Sequence, residues 1–288
     1  INKRTWSEKW AEYRKKPGSF IMFILVHLAT LITVLSIGFL LVYVLVKGVP
    51  NLNADIFSWE YTSDNCSLVP ALINTVYMTL LSLLIAGPIG IFAAIYLVEY
   101  AKTGNKLVGV VRITAETLTG IPSIVYGLFG MLFFTNACGL RLSLISGALT
   151  LSIMVLPVIM RTTEEALMAV PKSYREGSFG LGAGRLRTVF KVVLPSAVPG
   201  ILSGIILATG RIVGETAALI YTAGSVAKMA TSLTDSTRTL AVHMYLLSKE
   251  GLHTDQGYAT AVVLLVLVVL INFASDKIAS KVAADKAN

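Results

Sequence analysis

Residues 176–195 read EGSFGLGAGRLRTVFKVVLP, and they join two long apolar stretches of the chain. The small residues Gly177 and Ser178 let a short helix lie close against another surface, and Gly182 permits the chain to reverse its direction. From Arg185 onward the pattern indicates a second helix that leads into the next apolar stretch. The segment therefore predicts a small helical projection between two membrane-spanning helices.

The apolar stretches on either side of this segment belong to a set of six. The chain is 55% hydrophobic and only 14% charged, with a mean hydropathy of +0.74. Soluble domains carry about 25% charged residues, so a soluble globule is excluded. A membrane-spanning helix needs about 20 apolar residues. The predicted spans run approximately over 20–46, 70–98, 107–135, 143–160, 196–222 and 258–275. The fold class is an all-α polytopic membrane protein with six transmembrane helices.

The basic residues predict the orientation of these spans. The first 16 residues contain six basic and two acidic side chains, and residues 161–195 contain six and three, so the positive-inside rule places both in the cytoplasm. The 47–69 connection and the balanced 223–257 loop then lie outside. The net charge of +8 reflects this topology and not a nucleic-acid surface. The chain divides into a cytoplasmic N-terminal segment, a transmembrane domain and a cytoplasmic tail at residues 1–18, 19–275 and 276–288.

The N-terminal segment has an aromatic pattern of its own. Trp6, Trp10 and Tyr13 have helical spacing and stand beside several basic residues, which favours a helix lying in the membrane interface. A disordered basic tail is the alternative, since Pro17 and Gly18 would interrupt a continuous helix.

The spacing within residues 176–195 resembles the EAA loop of ABC importer permeases. That family pattern is Glu-Ala-Ala, three residues, Gly, nine residues, Ile, one residue and Leu-Pro, and every spacing matches here, with Gly-Ser for the alanines and Val for Ile. The resemblance implies coupling to a separate ATPase through Glu176, Gly177, Ser178, Gly182, Val192, Leu194 and Pro195. No phosphate-binding Gly-Lys-Ser or Gly-Lys-Thr sequence follows the glycines. We therefore expect no cofactor in this chain and expect ATP and Mg²⁺ to bind the partner ATPase.

Three further segments narrow the resemblance. Residues 115–127 (AETLTGIPSIVYG) and 211–217 (RIVGETA) resemble the third-span and fifth-span signatures of phosphate permeases, the PstA and PstC families. The run MRTTEEAL at 160–167 and the short first outer loop favour the PstA type, and PstC is the alternative. The resemblance implies a MetI-like type I importer permease in the bacterial inner membrane. Its implied partners are a PstC-like permease, two PstB-like ATPases and a PstS-like periplasmic phosphate-binding protein.

Two other kinds of transporter are alternatives to a phosphate permease, one of the same class and one of a different class. A permease for another oxyanion, sulfate or molybdate, would have the same architecture. A secondary anion transporter or channel would need no ATPase. An intramembrane enzyme is disfavoured because no nucleophile–base or metal constellation is found.

Charged residues inside the predicted spans are candidate contacts for the substrate. Arg211 and Glu215 stand four residues apart in the fifth span, so a continuous helix would present both on one face. A charge at the bilayer centre costs about 2.5 to 3.5 kcal/mol, so the pair should face protein or water. A guanidinium can bind two oxygens of a phosphate, and Glu215 could hold Arg211 between turnovers. A structural ion pair is the alternative.

Three more charges belong to the same set of candidates. Arg112 and Glu116 repeat the four-residue spacing in the third span, either as pathway residues or as a structural pair. Arg161 closes the fourth span on the cytoplasmic side, where it would anchor the topology or serve as an inner station for the anion.

The outer loops contain weaker signals. Leu240, Met244 and Leu247 have helical spacing, which predicts either a docking helix for a binding protein or a gate helix packed on the bundle. The spacing of the histidines makes a metal site improbable. Cys66 and Cys138 both map to the outer side, and the sequence leaves a disulfide between them open.

Overall fold

The computed structural model describes residues 17–102 and 104–284, and within these ranges the chain forms helices and turns without strands. The predicted interfacial helix with Trp6, Trp10 and Tyr13 lies outside the described residues. The α-helices are α1 Pro17–Gly48, α2 Val69–Ile95, α3 Lys106–Thr119, α4 Ser123–Gly130, α5 Leu144–Ala169, α6 Lys172–Gly180, α7 Arg185–Thr188, α8 Leu194–Val213, α9 Ala217–Thr222, α10 Leu240–Glu250 and α11 Thr254–Ala284. Turns of π-helix extend α2 and α4 over Tyr96–Tyr100 and Met131–Ala137, and Val189–Val193 joins α7 to α8.

The described residues contain five helices long and apolar enough to cross a membrane, and six when one bent pair counts as a single span. Four of the predicted windows correspond to the spans Gly18–Asn51, Val69–Tyr100, Leu144–Ala169 and Thr254–Ser275. The all-α polytopic fold is therefore confirmed. The boundaries of three windows differ from the prediction, and each difference has a local cause.

The third predicted span, 107–135, is bent by 105° between α3 and α4. Pro122 has an extended ψ of 142° and forms the N-cap of α4. A proline restricts the residue before it to extended conformations, so the helix cannot continue straight through Ile121. The Tyr126 hydroxyl donates a hydrogen bond of 2.8 Å to the Leu118 carbonyl. The Leu118 carbonyl also accepts a hydrogen bond of 3.2 Å from the Ile121 N–H, so it is fully satisfied inside the protein, as the membrane interior requires.

The fourth span is longer than the predicted 143–160, because α5 continues without interruption to Ala169. Thr163, Glu164 and Leu167 in this extension are buried against neighbouring helices. Tertiary packing therefore extends a helix that hydropathy alone would end at the first charge. As a result, the first part of the predicted 161–195 loop is helical, and Arg161 lies inside α5 and not at its end.

The fifth predicted span, 196–222, is displaced toward the N-terminus. A continuous run from Arg185 to Val213 forms the membrane helix, and the chain leaves the helical conformation at Gly214 before the short helix α9. Pro195 stands at the start of α8, just after the π-helical turn Val189–Val193.

The centre of the bundle is α5, which packs against α2 on one side and α8 on the other. Small residues allow the close approach: a Cβ at Gly204 would overlap the Thr162 side chain, and one at Gly130 would overlap Thr150. By contrast, the most apolar window of α1 has no buried residue, and this helix packs on α11. The outer surface of α1 is therefore suited to lipid or to another membrane subunit.

Candidate functional site

Two ion pairs join α3 to α5 in the half of the bundle nearer α6. Arg112 pairs with Glu164, and Arg161 lies 4.0 Å from Glu116. Arg161 also donates a hydrogen bond of 3.2 Å from Nε to Glu165, one turn along its own helix. The prediction that Arg112 pairs with Glu116 along α3 is wrong, because α3 packs alongside α5 and each of its charges meets an opposite charge there. The structure thus unites three predicted site residues with Glu164 and Glu165.

These charges line a pocket of about 220 Å³ between α3 and α5. Its remaining walls are formed by Ala115, Pro157, Met160 and Met168. The two cations in the pocket face three carboxylates, so the pocket is acidic in balance. Arg161 can contact a passing anion only if that anion competes with Glu116 and Glu165 for the guanidinium.

Arg211 and Glu215 do not form the predicted pair. The guanidinium of Arg211 has no carboxylate oxygen within 4.0 Å among the residues that the structure describes. The prediction assumed a continuous helix, but α8 ends at Val213 with Gly214 as its C-cap. Glu215 is instead buried and accepts a hydrogen bond of 3.0 Å from the Ala218 backbone N–H, so it caps the start of α9.

Arg211 lies in the last turn of α8 and lines an open groove of about 690 Å³ between α8 and α11. Most of the groove is apolar, and Ser203 and Asn272 are the polar side chains beside the arginine. A half-buried guanidinium in such a groove keeps its donors available for an anion.

The seven predicted coupling residues fall into two groups. Glu176, Gly177 and Ser178 lie on α6, and Gly182 turns the chain with a φ of +82°, which favours glycine. The other three, Val192, Leu194 and Pro195, lie on the far side of α7, where the chain joins the bundle. A hydrogen bond of 2.8 Å between the hydroxyls of Ser178 and Thr188 links the two arms of the projection.

The projection also exposes apolar side chains. Leu181 is 91% exposed and lies between two membrane spans, and Leu186, 67% exposed, lies at the start of the second of them. Exposed apolar side chains clustered in this way are typical of a surface that binds another protein.

Comparison with known proteins agrees with this arrangement. Residues 86–284 match the family of binding-protein-dependent transport system inner membrane components. The chain belongs to this family. It is therefore a membrane permease subunit of an ABC importer and not the ATPase, as the absence of a phosphate-binding loop predicted.

Individual relatives support a narrower grouping within the permease family. The chain is 34% identical over 270 residues to a probable ABC transporter permease, YqgI of Bacillus subtilis, and the match covers 86% of this chain and 90% of that protein. It is 40% identical over 179 residues, 62% of each chain, to the phosphate transport system permease PstA of Xylella fastidiosa. A methionine transporter structure, MetNI in inward-facing conformations, matches at 25% identity with a TM-score of 0.59, covering 75% of this chain and 95% of that one. The MetI-like fold is confirmed.

Sequence reasoning did not select Glu164 as a site residue of this permease. The side chain of Glu164 is only 9% exposed and balances Arg112. The run at 160–167 contained a signal, since two adjacent glutamates in the helical continuation of an apolar span need partners. The partner was not evident because it lies on α3, far away in sequence.

The 223–257 loop contributes to a buried polar cluster. The Arg238 guanidinium lies 4.5 Å from the ring centroid of Tyr61, and the same ring contacts the imidazole of His243 edge to face. Burial, together with the Arg238 charge, lowers the pKa of His243 to about 3. Burial also raises the pKa of the Cys66 thiol. His243 is therefore neutral in the folded protein at ordinary pH.

The structure decides two alternatives left open by the sequence. Leu240, His243 and Leu247 of α10 are buried, so the apolar face of this helix is already covered by the bundle and is not a free docking surface. Cys66 is buried and Cys138 is exposed, and both are free thiols. Among the described residues no cluster of three metal-binding side chains is found.

Proposed function

We propose that this chain is one of the two permease subunits of an ATP-driven phosphate importer, of the PstA type. The observation that carries the proposal is Arg211, which lines an open groove in the membrane domain and has no carboxylate oxygen within 4.0 Å among the described residues. The names of its relatives, phosphate permeases among them, support phosphate as the anion. Sulfate and molybdate remain the same-class alternatives.

The arrangement of the cations suits the transport of phosphate better than its tight binding. Arg211 offers two parallel donors to a phosphate oxyanion, whereas Arg161 is already engaged by Glu116 and Glu165. A pathway must bind its ion weakly enough to release it. Arg211 and Arg161 together meet this requirement. Arg211 is available to the anion, whereas at Arg161 the anion must displace carboxylates and gains little net binding energy.

The complete importer would contain four further subunits. We propose a PstC-like permease beside this chain, two PstB-like ATPases that bind ATP and Mg²⁺, and a PstS-like binding protein that delivers phosphate. The ATPases would engage the projection over 173–195, where apolar side chains are exposed. This places α6 and both chain termini in the cytoplasm and the 223–257 loop outside, in agreement with the distribution of basic residues.

The test is transport by the purified complex in proteoliposomes. We expect uptake of labelled phosphate that requires ATP inside, and stimulation of the ATPase by phosphate-loaded binding protein. Arg211→Gln should abolish uptake at normal membrane abundance, and Arg211→Lys should reduce it strongly, because a lysine lacks the planar fork. Normal phosphate uptake by Arg211→Lys, or ATPase stimulation by sulfate-loaded and not phosphate-loaded protein, would contradict the proposal.

A second experiment separates the importer from a secondary transporter or channel. Scrambling residues 176–182 should abolish both assembly with the ATPase and phosphate uptake. Uptake that persists after scrambling would favour the secondary transporter or channel.

A further inference from the structure

Arg175, directly before the Glu-Gly-Ser triplet, joins the projection to the membrane bundle. Its Nη2 donates a hydrogen bond of 2.6 Å to Oε1 of Glu99, and its Nε lies 3.1 Å from the same oxygen. The side chain of Arg175 is 18% exposed and that of Glu99 is 9% exposed. Glu99 belongs to the π-helical end of α2, so the pair links α6 to a membrane-spanning helix that is distant in the chain.

The same guanidinium also binds the end of α5. Nη1 donates 2.9 Å to the Val170 carbonyl and Nη2 donates 2.8 Å to the Leu167 carbonyl. The last carbonyls of a helix have no intrahelical donors and carry partial negative charge. Arg175 therefore satisfies the C-terminus of α5 and the carboxylate of Glu99 at once, which only the planar, five-donor guanidinium can do.

Three elements consequently meet at one side chain: α6, the end of α5 and the end of α2. Arg185 of α7 adds a second contact to the same region, with its guanidinium carbon 5.7 Å from the ring centroid of Tyr100. A cavity of about 530 Å³ opens beside Arg175 and is lined by residues of α6, of α5 and of the end of α2. The Arg175 contacts bridge α6 to α2 and α5 at the edge of this cavity, whereas the Ser178–Thr188 hydrogen bond links α6 to α7.

We propose that the Arg175–Glu99 pair is the positioning contact that carries movement of α6 into the membrane domain. This rests on the proposed function, in which an ATPase moves α6. Displacement of α6 pulls on α2 through Glu99 and on α5 through the helix-end carbonyls. The α5 helix carries Arg161 and Glu164, so a shift of α5 alters the charged pocket that it shares with α3.

A buried ion pair is suited to this role because it is directional. Replacing such a pair by apolar side chains of similar size is often neutral in stability, whereas removing one partner leaves an uncompensated buried charge. The double variant Arg175→Met with Glu99→Met therefore leaves no unpaired buried charge. It removes the contact with α2 and, at the same time, the hydrogen bonds to the Leu167 and Val170 carbonyls at the end of α5. The conservative variant Arg175→Lys keeps the charge but cannot reach all the acceptors together.

The experiment uses the complete complex with its ATPases and binding protein. For the double variant and for Arg175→Lys we expect normal complex abundance, and the stimulated ATPase activity of each variant is compared with its own basal activity. Stimulation of the ATPase by phosphate-loaded binding protein, and phosphate uptake, should both fall by about tenfold, within the range of coupling energies between distant sites. Lys106→Met, at an exposed lysine at the start of α3, is the matched control and should keep full stimulation.

The ratio of stimulated to basal ATPase activity distinguishes coupling from mere stability. Full stimulation and uptake in the double variant would overturn the inference while leaving the proposed function intact. Loss of assembly in both variants would also overturn it, because the pair would then be a structural element only. A wild-type complex without any stimulation by loaded binding protein would instead overturn the proposed function and, with it, this inference.

Discussion

Arg112 of α3 and Glu164 of α5 form an ion pair between two helices, and the two partners differ in their exposure to solvent. The Arg112 side chain is 47% exposed, whereas that of Glu164 is 9% exposed. A guanidinium that loses its partner can turn toward water, but a buried carboxylate cannot. The two halves of the pair are therefore unequal in their importance for stability.

This inequality predicts the result of single substitutions. We expect Arg112→Met to lower the free energy of unfolding by about 2 to 4 kcal/mol, since it leaves the Glu164 carboxylate buried and unpaired. Glu164→Gln should cost only about 1 kcal/mol, because its amide still accepts from Arg112 and the arginine is partly solvated. Thermal unfolding of the detergent-solubilised protein measures both. Equal shifts for the two variants would contradict the assignment.

Close packing of α8 on α5 predicts a strong effect at one glycine. A Cβ at Gly204 would overlap the Thr162 side chain, whereas Gly210 in the same helix has open space around it. Gly204→Ala should destabilise the protein by about 1 to 3 kcal/mol through overpacking. Gly210→Ala, the matched control, should be neutral or stabilise by up to about 1 kcal/mol, because alanine has the higher helix propensity.

Thermal unfolding of the two glycine variants in one detergent tests this pair of expectations. A Gly204→Ala protein as stable as the Gly210→Ala protein would show that the two helices are further apart than described.

The buried imidazole of His243 predicts a pH dependence of stability. Its pKa is lowered from 6.5 to about 3 by burial and by Arg238, so the unfolded chain takes up a proton that the folded protein does not. Stability is therefore complete above pH 6.5 and falls as the pH decreases toward 3, by about 2 kcal/mol at pH 5. His243→Asn should flatten this dependence.

Unfolding midpoints between pH 7.5 and about 5 give the comparison, in the range where the unfolded imidazole titrates. A His243→Asn protein with the same slope as the wild type would contradict the burial of the neutral imidazole.

The two cysteines predict a labelling pattern that reports the orientation. Cys138 is exposed, whereas Cys66 is 1% exposed and its pKa is raised by burial, which disfavours the reactive thiolate. A membrane-impermeant maleimide added to spheroplasts should label the wild type and Cys66→Ser equally. Cys138→Ser should not be labelled. Labelling of Cys138 only after lysis would place the 223–257 loop in the cytoplasm.

Much of this permease is predictable from its sequence because the bilayer imposes strict rules. Long apolar windows must become helices, since unpaired backbone groups are too costly in lipid. Gly182 marks the reversal of the projection because its positive φ suits glycine. The spacing of residues 176–195 also indicated the family. A chain reversal needs a glycine, and a helix that lies close to another surface needs small residues, so both restrict which residues can stand at defined positions.

The predictions that failed share one assumption, that charges pair along the helix on which they stand. Arg112 pairs with Glu164 and not with Glu116, and Glu215 caps α9 and does not bind Arg211. Helical spacing shows which side chains share a face, but it contains no information about the opposite face of a neighbouring helix. It also does not locate a break such as Gly214, the C-cap at which α8 ends.

The sequence by itself determined the apolar membrane helices, the projection with its glycine turn and the membership of the permease family, because these depend on local hydropathy and residue size. Only the tertiary structure decided which charges meet. Arg175 reaches Glu99 and Arg112 reaches Glu164 because helices distant in the chain pack side by side. Such pairs depend on the packing of the whole bundle, since a buried charge is stable only where the fold brings its partner.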